Sequence, residues 1–160
     1  MAVSKHTRAV DTFTGLATAT ITFSGVPAVD ETIIILDKDG TSKTFTAKGS
    51  ETAASLQFNR ASTAAAAATS LKACMDHANG HNGSIAVADN GAGVLNLTQL
   101  YSGTMGNTTI TEGLANVTKT DFSGGNAEGG VNTAVDAAAL ETKLTARFDD
   151  ITYYTDDSAE

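Results

Sequence analysis

Between Thr18 and Phe23 the chain reads Thr-Ala-Thr-Ile-Thr-Phe, a hydroxyl side chain at every second position with an apolar one between. Side chains of an extended strand point alternately to opposite faces, so this period of two gives one apolar and one hydroxyl face. Ser24-Gly25-Val26-Pro27 ends the strand, and the chain's single proline marks a loop. Thr32 to Leu36 is instead continuously apolar and β-branched, as in a central strand covered on both faces. Asp37-Lys38-Asp39-Gly40 supplies a turn, and Thr41 to Ala47 returns as a second strand, expected to carry Phe45 on one face and Lys43 on the other.

Residues 49–60 read as a loop anchored by Leu56 and Phe58. A helix follows. Ser62 or Thr63 can cap it, Ala64 to Ala68 has the best intrinsic helix propensity, and Asn79-Gly80 is suited to end it. Ala64, Ala68, Leu71, Met75 and Ala78 fall on one face, a narrow stripe that lets a helix approach a sheet closely. Ser84 to Ala88 and Val94 to Leu100 form a second hairpin around Asp89-Asn90-Gly91-Ala92-Gly93, and Tyr101 to Asn107 is loop. Two short strands are expected at Thr108–Glu112 and Val117–Asp121, with Ile110 and Val117 inward.

The pattern predicts an α+β fold: a mostly antiparallel sheet with one packed Ala-rich helix, spanning residues 17–125. Residues 1–16 mix charge, Thr and Gly without a period and read as an N-terminal arm. From Asn126 to Gly130 the composition turns to Gly, Asn and Glu, a boundary beyond which 126–160 reads as a C-terminal helix and acidic tail. In that segment Val135, Leu140 and Leu144 give an amphipathic stripe. At 160 residues the chain suffices for one domain with appended arms. Aromatics are 6% of residues and Trp is absent, so the core is built from Ile, Val, Leu, Ala and a few Phe. Small side chains contribute little burial each, so further burial in a homo-oligomer or on a larger assembly is expected.

The formal net charge of -8 is unevenly placed. Residues 1–80 carry seven basic and seven acidic side chains, and residues 81–160 carry three and eleven. Lys5, His6 and Arg8 make the N-terminal end basic, and Asp149, Asp150, Asp156, Asp157 and Glu160 make the other end acidic. Lys5, His6 and Arg8 are candidates for electrostatic docking; Phe148, Tyr153 and Tyr154, aromatics in an acidic tail, are candidates for apolar anchoring. Nucleic acid is not an expected partner, because neutralising phosphates takes a basic patch and none is visible. No run approaches the roughly 20 apolar residues of a membrane-spanning helix, and Met1 to Arg8 lacks the apolar core of a signal peptide, so a soluble product is expected.

Chemistry-bearing patterns are sparse. Cys74, His77 and His81 have a Cys-x2-His-x3-His spacing that could bind zinc with Asp76 nearby, but Gly80 should end the helix before His81 and a fourth strong ligand is missing. Cys74 reads as a small buried hydrophobe. Asp37 to Gly40 resembles the start of a calcium loop, yet Lys48 stands where a bidentate Glu would be needed. Ser-His-Asp combinations exist on paper around His77, without a Gly-x-Ser-x-Gly elbow to hold a nucleophile. Gly91-Ala-Gly93 and Gly103-Thr-Met-Gly106 lack the Lys-Ser/Thr of a phosphate loop and read as turns. Asn107-Thr-Thr and Asn116-Val-Thr fit the glycosylation triplet, which without a signal peptide should go unused. No catalytic residue, metal or cofactor is expected.

Five pieces in order carry a family resemblance: Thr-Ile-x-Ile-x-Asp-x-Asp-Gly-Thr-x-Lys-Thr-Phe ending at Phe45, the Ala-rich stretch from Ala61 to Asn79, Leu97-Thr-Gln99, Gly106-Asn-Thr-Thr-Ile-Thr111, and Asn116-Val-Thr-x-x-x-Phe-Ser-Gly-Gly125. The succession resembles a small module in structural proteins of tailed bacteriophages, particularly aquatic ones, and covers about two thirds of the chain. The resemblance implies a virion component with no catalytic residues to carry over. The leading expectation is a capsid decoration (cement) protein, made in the host cytoplasm, that binds the major capsid protein on the exterior of the head. A tail or fibre component, such as a tail-tube or host-adhesion module whose Thr-rich face contacts glycans, is the alternative. A small hydrolase or metalloprotein is the third.

Overall fold

The computed structural model describes residues 15–126, which lie in one compact unit. Within them the chain forms two four-stranded sheets and one α-helix, an α+β fold with mostly antiparallel pairing. The strands are β1 (Thr18–Phe23), β2 (Thr32–Leu36), β3 (Ser42–Lys48), β4 (Gln57–Asn59), β5 (Ile85–Asp89), β6 (Val94–Gln99), β7 (Thr111–Glu112) and β8 (Val117–Lys119); the helix α1 is Ala64–Asp76. One sheet has the order β5-β6-β1-β8, the other β4-β3-β2-β7.

The first sheet follows from the period of two. Ala19, Ile21 and Phe23 of β1 are buried, while Thr18, Thr20 and Thr22 face outward. Pairing with β6 sets Thr18 opposite Thr98 and Thr20 opposite Asn96, and pairing with β8 sets Thr22 opposite Thr118. Ala86 and Ala88 on β5 stand opposite Thr98 and Asn96. The outer face of this sheet is therefore paved with small uncharged side chains, and its inner face carries Ile85, Leu95 and Leu97 as well as the β1 residues.

The second sheet corrects two expectations. Strand β2 is central, between β3 and β7, but only Ile33 and Ile35 are buried; Ile34 and Leu36 are half-buried. One face meets the core and nothing fully covers the other, so an apolar run of this length did not imply burial on both sides. Lys43 and Phe45 share a face, being two residues apart on β3, and Lys43 pairs with the buried Ile35. Lys43 is half-buried, one residue in from the β2–β3 turn at the end of the core.

The expected loop at 49–60 contains a strand. After a 3-10 turn at Ala53–Ser55, β4 pairs parallel to β3, with Ala47 opposite Phe58. Parallel neighbours usually need a crossover of a dozen or more residues. Here the chain retraces only about three residues of strand, roughly 10 Å, so the eight residues from Gly49 to Leu56 suffice. Phe58 is fully buried, as its anchoring role requires, and Leu56 is half-buried at φ 56°.

Helix α1 starts where capping places it, with the Thr63 hydroxyl accepting from the Ala66 amide at 3.2 Å. It ends at Asp76, earlier than Asn79-Gly80, because His77 is already extended. The buried stripe is Ala67, Ala68, Ser70, Leu71, Cys74 and Met75; Ala64 packs at its margin, and Ala78 lies beyond the helix and is exposed. The helix touches β4 of one sheet and β5 of the other, so it closes the side where those edges come together. On the opposite side β7 approaches β8, joined by Ile110 N–H to the Asp121 carboxylate at 2.8 Å and Phe122 N–H to the Thr108 carbonyl at 3.0 Å. Both pairs of sheet edges are thereby covered, which protects them from pairing with other chains. A single core runs between the sheets, and Phe23 meets Phe58 across it edge to face, with centroids 6.4 Å apart.

Candidate functional surface

Buried polar groups cluster at one end of the core, where the β2–β3 turn meets the end of β6. Asp37, His81 and Gln99 are each at most 5% exposed. The Asp37 carboxylate accepts from the amides of Asp39 (3.0 Å) and Thr41 (2.9 Å), so the apparent calcium-loop residues build an Asx-type turn. Gln99 accepts from the Lys38 amide at 3.1 Å and donates to the Leu36 carbonyl at 3.2 Å, while the Thr108 hydroxyl donates to that same carbonyl at 2.8 Å. Every buried side-chain polar atom among the described residues has a partner.

His81 shows why this cluster is structural in its geometry. Its Nε2 lies 3.0 Å from the Ile35 carbonyl and must carry the proton, leaving Nδ1 as an acceptor in the neutral ring. Ser84 Oγ (3.3 Å) and Asp37 Oδ2 (3.7 Å) both approach that same Nδ1. A proton relay needs the nucleophile and the carboxylate on opposite ring nitrogens, and here one nitrogen faces both while the ring is sealed from water. Burial lowers the His81 pKa below the ordinary imidazole value, against the raising effects of the Ile35 carbonyl and Asp37, and Lys43 lowers it further. Cys74, fully buried, has its thiol pushed up to about 11, chiefly by burial and then by Glu51. Among the described residues no group of three His, Cys, Asp or Glu side chains converges as a metal site.

Above this network sits an apolar prominence. Leu100, Tyr101 and Met105 are 44%, 54% and 73% exposed. With Lys38, Asp39, Ser102, Gly103 and Thr104, the last two line an open cleft of about 590 Å³. The Lys38 ammonium stands 4.6 Å from the centre of the Tyr101 ring and is paired with Asp39 at 2.6 Å. That carboxylate raises the Lys38 pKa, so the cation persists over the whole physiological range. The loop is held at its far end by Asn107, whose side chain donates to the Gly125 carbonyl (3.0 Å) and accepts from the Gly125 amide (2.8 Å). Gly125 is packed so closely that a Cβ would fall 2.4 Å from the Gly103 carbonyl. The closing Gly-Gly of the sequence thus serves to brace the loop that presents Tyr101 and Met105.

The sequence-derived docking residues Lys5, His6, Arg8, Phe148, Tyr153 and Tyr154 lie outside the described residues. Tyr101 and Met105 were missed within a stretch read as plain loop. The signal that singled out Tyr153 and Tyr154, aromatics in an acidic tail, is absent at Tyr101; an aromatic in a Ser- and Gly-containing loop was the cue available. His77 and His81 part company at the helix end: His81 is buried, while His77 accepts from the Asn79 amide at 3.1 Å near the surface. No helix among the described residues is long and apolar enough to cross a membrane. Comparison with known proteins finds no matching family model, no matching curated protein and no matching solved structure.

Proposed function

We propose that this chain is a non-enzymatic structural component of a tailed-phage particle, a capsid decoration protein that binds the major capsid protein on the outside of the head. The observation that carries the reading is the braced prominence of Leu100, Tyr101 and Met105 beside the Lys38–Asp39 pair. Exposed apolar side chains rimmed by charge gain free energy when another surface covers them, and an aromatic with an adjacent cation suits the centre of such a contact. Rigid support below the loop lowers the entropy lost on docking. The tailed-phage assignment rests on the resemblance of the ordered motifs, and the capsid position on the expectation that residues 1–16 and 126–160 act as docking segments. The decisive experiment compares particles assembled with and without the chain. Decorated heads should withstand heat and chelator better than bare ones, and equal resistance would refute cementing.

The uncharged hydroxyl face made by Thr18, Thr20, Thr22, Asn96 and Thr98 favours a second reading, a tail or fibre module that contacts host glycans. Copy number separates the two. A number that scales with the capsid lattice supports decoration, and a small fixed number supports a fibre or tail position.

A further inference from the structure

Three Asn-Gly pairs lie in the described residues: Asn79-Gly80, Asn82-Gly83 and Asn90-Gly91. In such a pair the backbone nitrogen of the glycine, once it has given its proton to water or hydroxide, can attack the asparagine Cγ. A five-membered succinimide closes and ammonia leaves; water then opens either imide carbonyl, giving aspartate or isoaspartate. Glycine favours the step because no side chain obstructs the approach. All three asparagines are exposed, so solvent access does not separate them.

Hydrogen bonding does. The Asn90 side-chain oxygen accepts from the amides of Ala92 (2.8 Å) and Val94 (3.2 Å), and the Gly91 amide donates to the Asp89 carboxylate at 2.8 Å. The Asn79 side-chain nitrogen donates to the Ala54 carbonyl at 2.8 Å, and the Gly80 amide donates to the His77 carbonyl at 2.8 Å. Gly80 is also packed tightly, since a Cβ there would meet the Cys74 carbonyl at 2.3 Å. In both pairs nucleophile and electrophile are tied to other groups, and reaction must wait for local opening. At Asn82-Gly83 neither the side chain nor the glycine amide has a hydrogen-bond partner among the described residues, and the space beside Gly83 is open to 4 Å.

We propose that Asn82 is the site of spontaneous deamidation in the folded chain, converting to aspartate and isoaspartate while Asn79 and Asn90 keep their amides. The conversion adds a negative charge next to His81, and the isoaspartate form inserts a methylene into the backbone of a tight turn. That turn is held by His81 N–H to the Met75 carbonyl at 2.8 Å and by the amides of Ser84 and Ile85 to the His81 carbonyl, each at 3.0 Å. The lesion therefore lies at the entrance to the buried polar cluster.

The test is incubation of the full chain in warm, mildly alkaline buffer, folded and in denaturant, followed by peptide mapping with fragmentation that separates aspartate from isoaspartate. The folded chain should lose the amide at Asn82 alone, the denatured chain at all three positions, and an Asn82→Gln variant at none of them when folded. Conversion of Asn79 or Asn90 in the folded chain as fast as Asn82, or an intact Asn82 amide in folded chain under conditions that convert the denatured one, would overturn the assignment.

Discussion

Among the described residues four non-glycine positions have positive φ: Asp30, Leu56, Ala61 and Asn116. Asn and Asp tolerate this region, and the Asn116 side chain helps itself by donating to the Val26 carbonyl at 3.1 Å. Ala61 has no such help beyond its own amide, which donates to the Asn59 side chain at 2.8 Å. A left-handed alanine costs roughly 1–2 kcal/mol, whereas glycine's greater freedom in the unfolded chain costs about 0.4–1 kcal/mol. Ala61→Gly should therefore leave stability unchanged or raise it slightly in chemical denaturation, where an alanine in ordinary backbone would lose stability. A second residue-scale prediction concerns His81. Its pKa is lowered in the folded chain, so the unfolded chain binds the proton more readily and stability is complete only above the ordinary imidazole value. Melting temperature should fall as pH drops below about 6.5, and a His81→Gln variant should lose that part of the pH dependence whatever its absolute stability. A wild-type melting temperature flat across this range would contradict the buried neutral imidazole.

The elements that could be read from the sequence are those that carry a local signal of their own. Strand β1, the two antiparallel hairpins and helix α1 each carry their own period, turn or cap, and Asp37 and Thr63 supply side-chain partners within a few residues. Strand β4 could not be read this way. It has three residues, and its position depends on distant groups: the Asn59 amide donates to Ser70 Oγ on α1 at 2.7 Å, and that hydroxyl donates to Glu51 at 2.5 Å. No period reveals such a strand, because its register is set by β3 and the helix. Ser70→Ala would leave the Asn59 amide without its partner at a half-buried site, costing about 1–3 kcal/mol. Phe58→Ala, which empties the core between β4 and Phe23, should cost more, about 3–5 kcal/mol. Urea denaturation monitored by circular dichroism checks both; a Ser70→Ala loss as large as the Phe58→Ala loss would contradict the division of labour between packing and this hydrogen bond.

Across the described residues as a whole, two sheets share a core that α1 seals on one side and β7 with β8 on the other. The class of fold was legible because short strands and one alanine-rich helix leave few arrangements. The division into two sheets was not, because the chain passes between layers after Phe23, Asn59, Gln99 and Glu112, and the turn residues there mark where a strand ends without saying which layer the next one joins. The candidate surface escaped for a related reason: Gly125, which braces the loop carrying Tyr101 and Met105 through Asn107, lies far along the sequence and meets that loop only in the fold. In the proposed function the molecule docks through this prominence. The most direct measurement is the binding of purified chain to heads that lack it, using wild type and a Tyr101→Ser/Met105→Ser double variant with unchanged melting temperature. The wild type should saturate the heads in proportion to the capsid lattice and the variant should lose most of its occupancy; equal occupancy by both proteins, or none by the wild type, would contradict the claim.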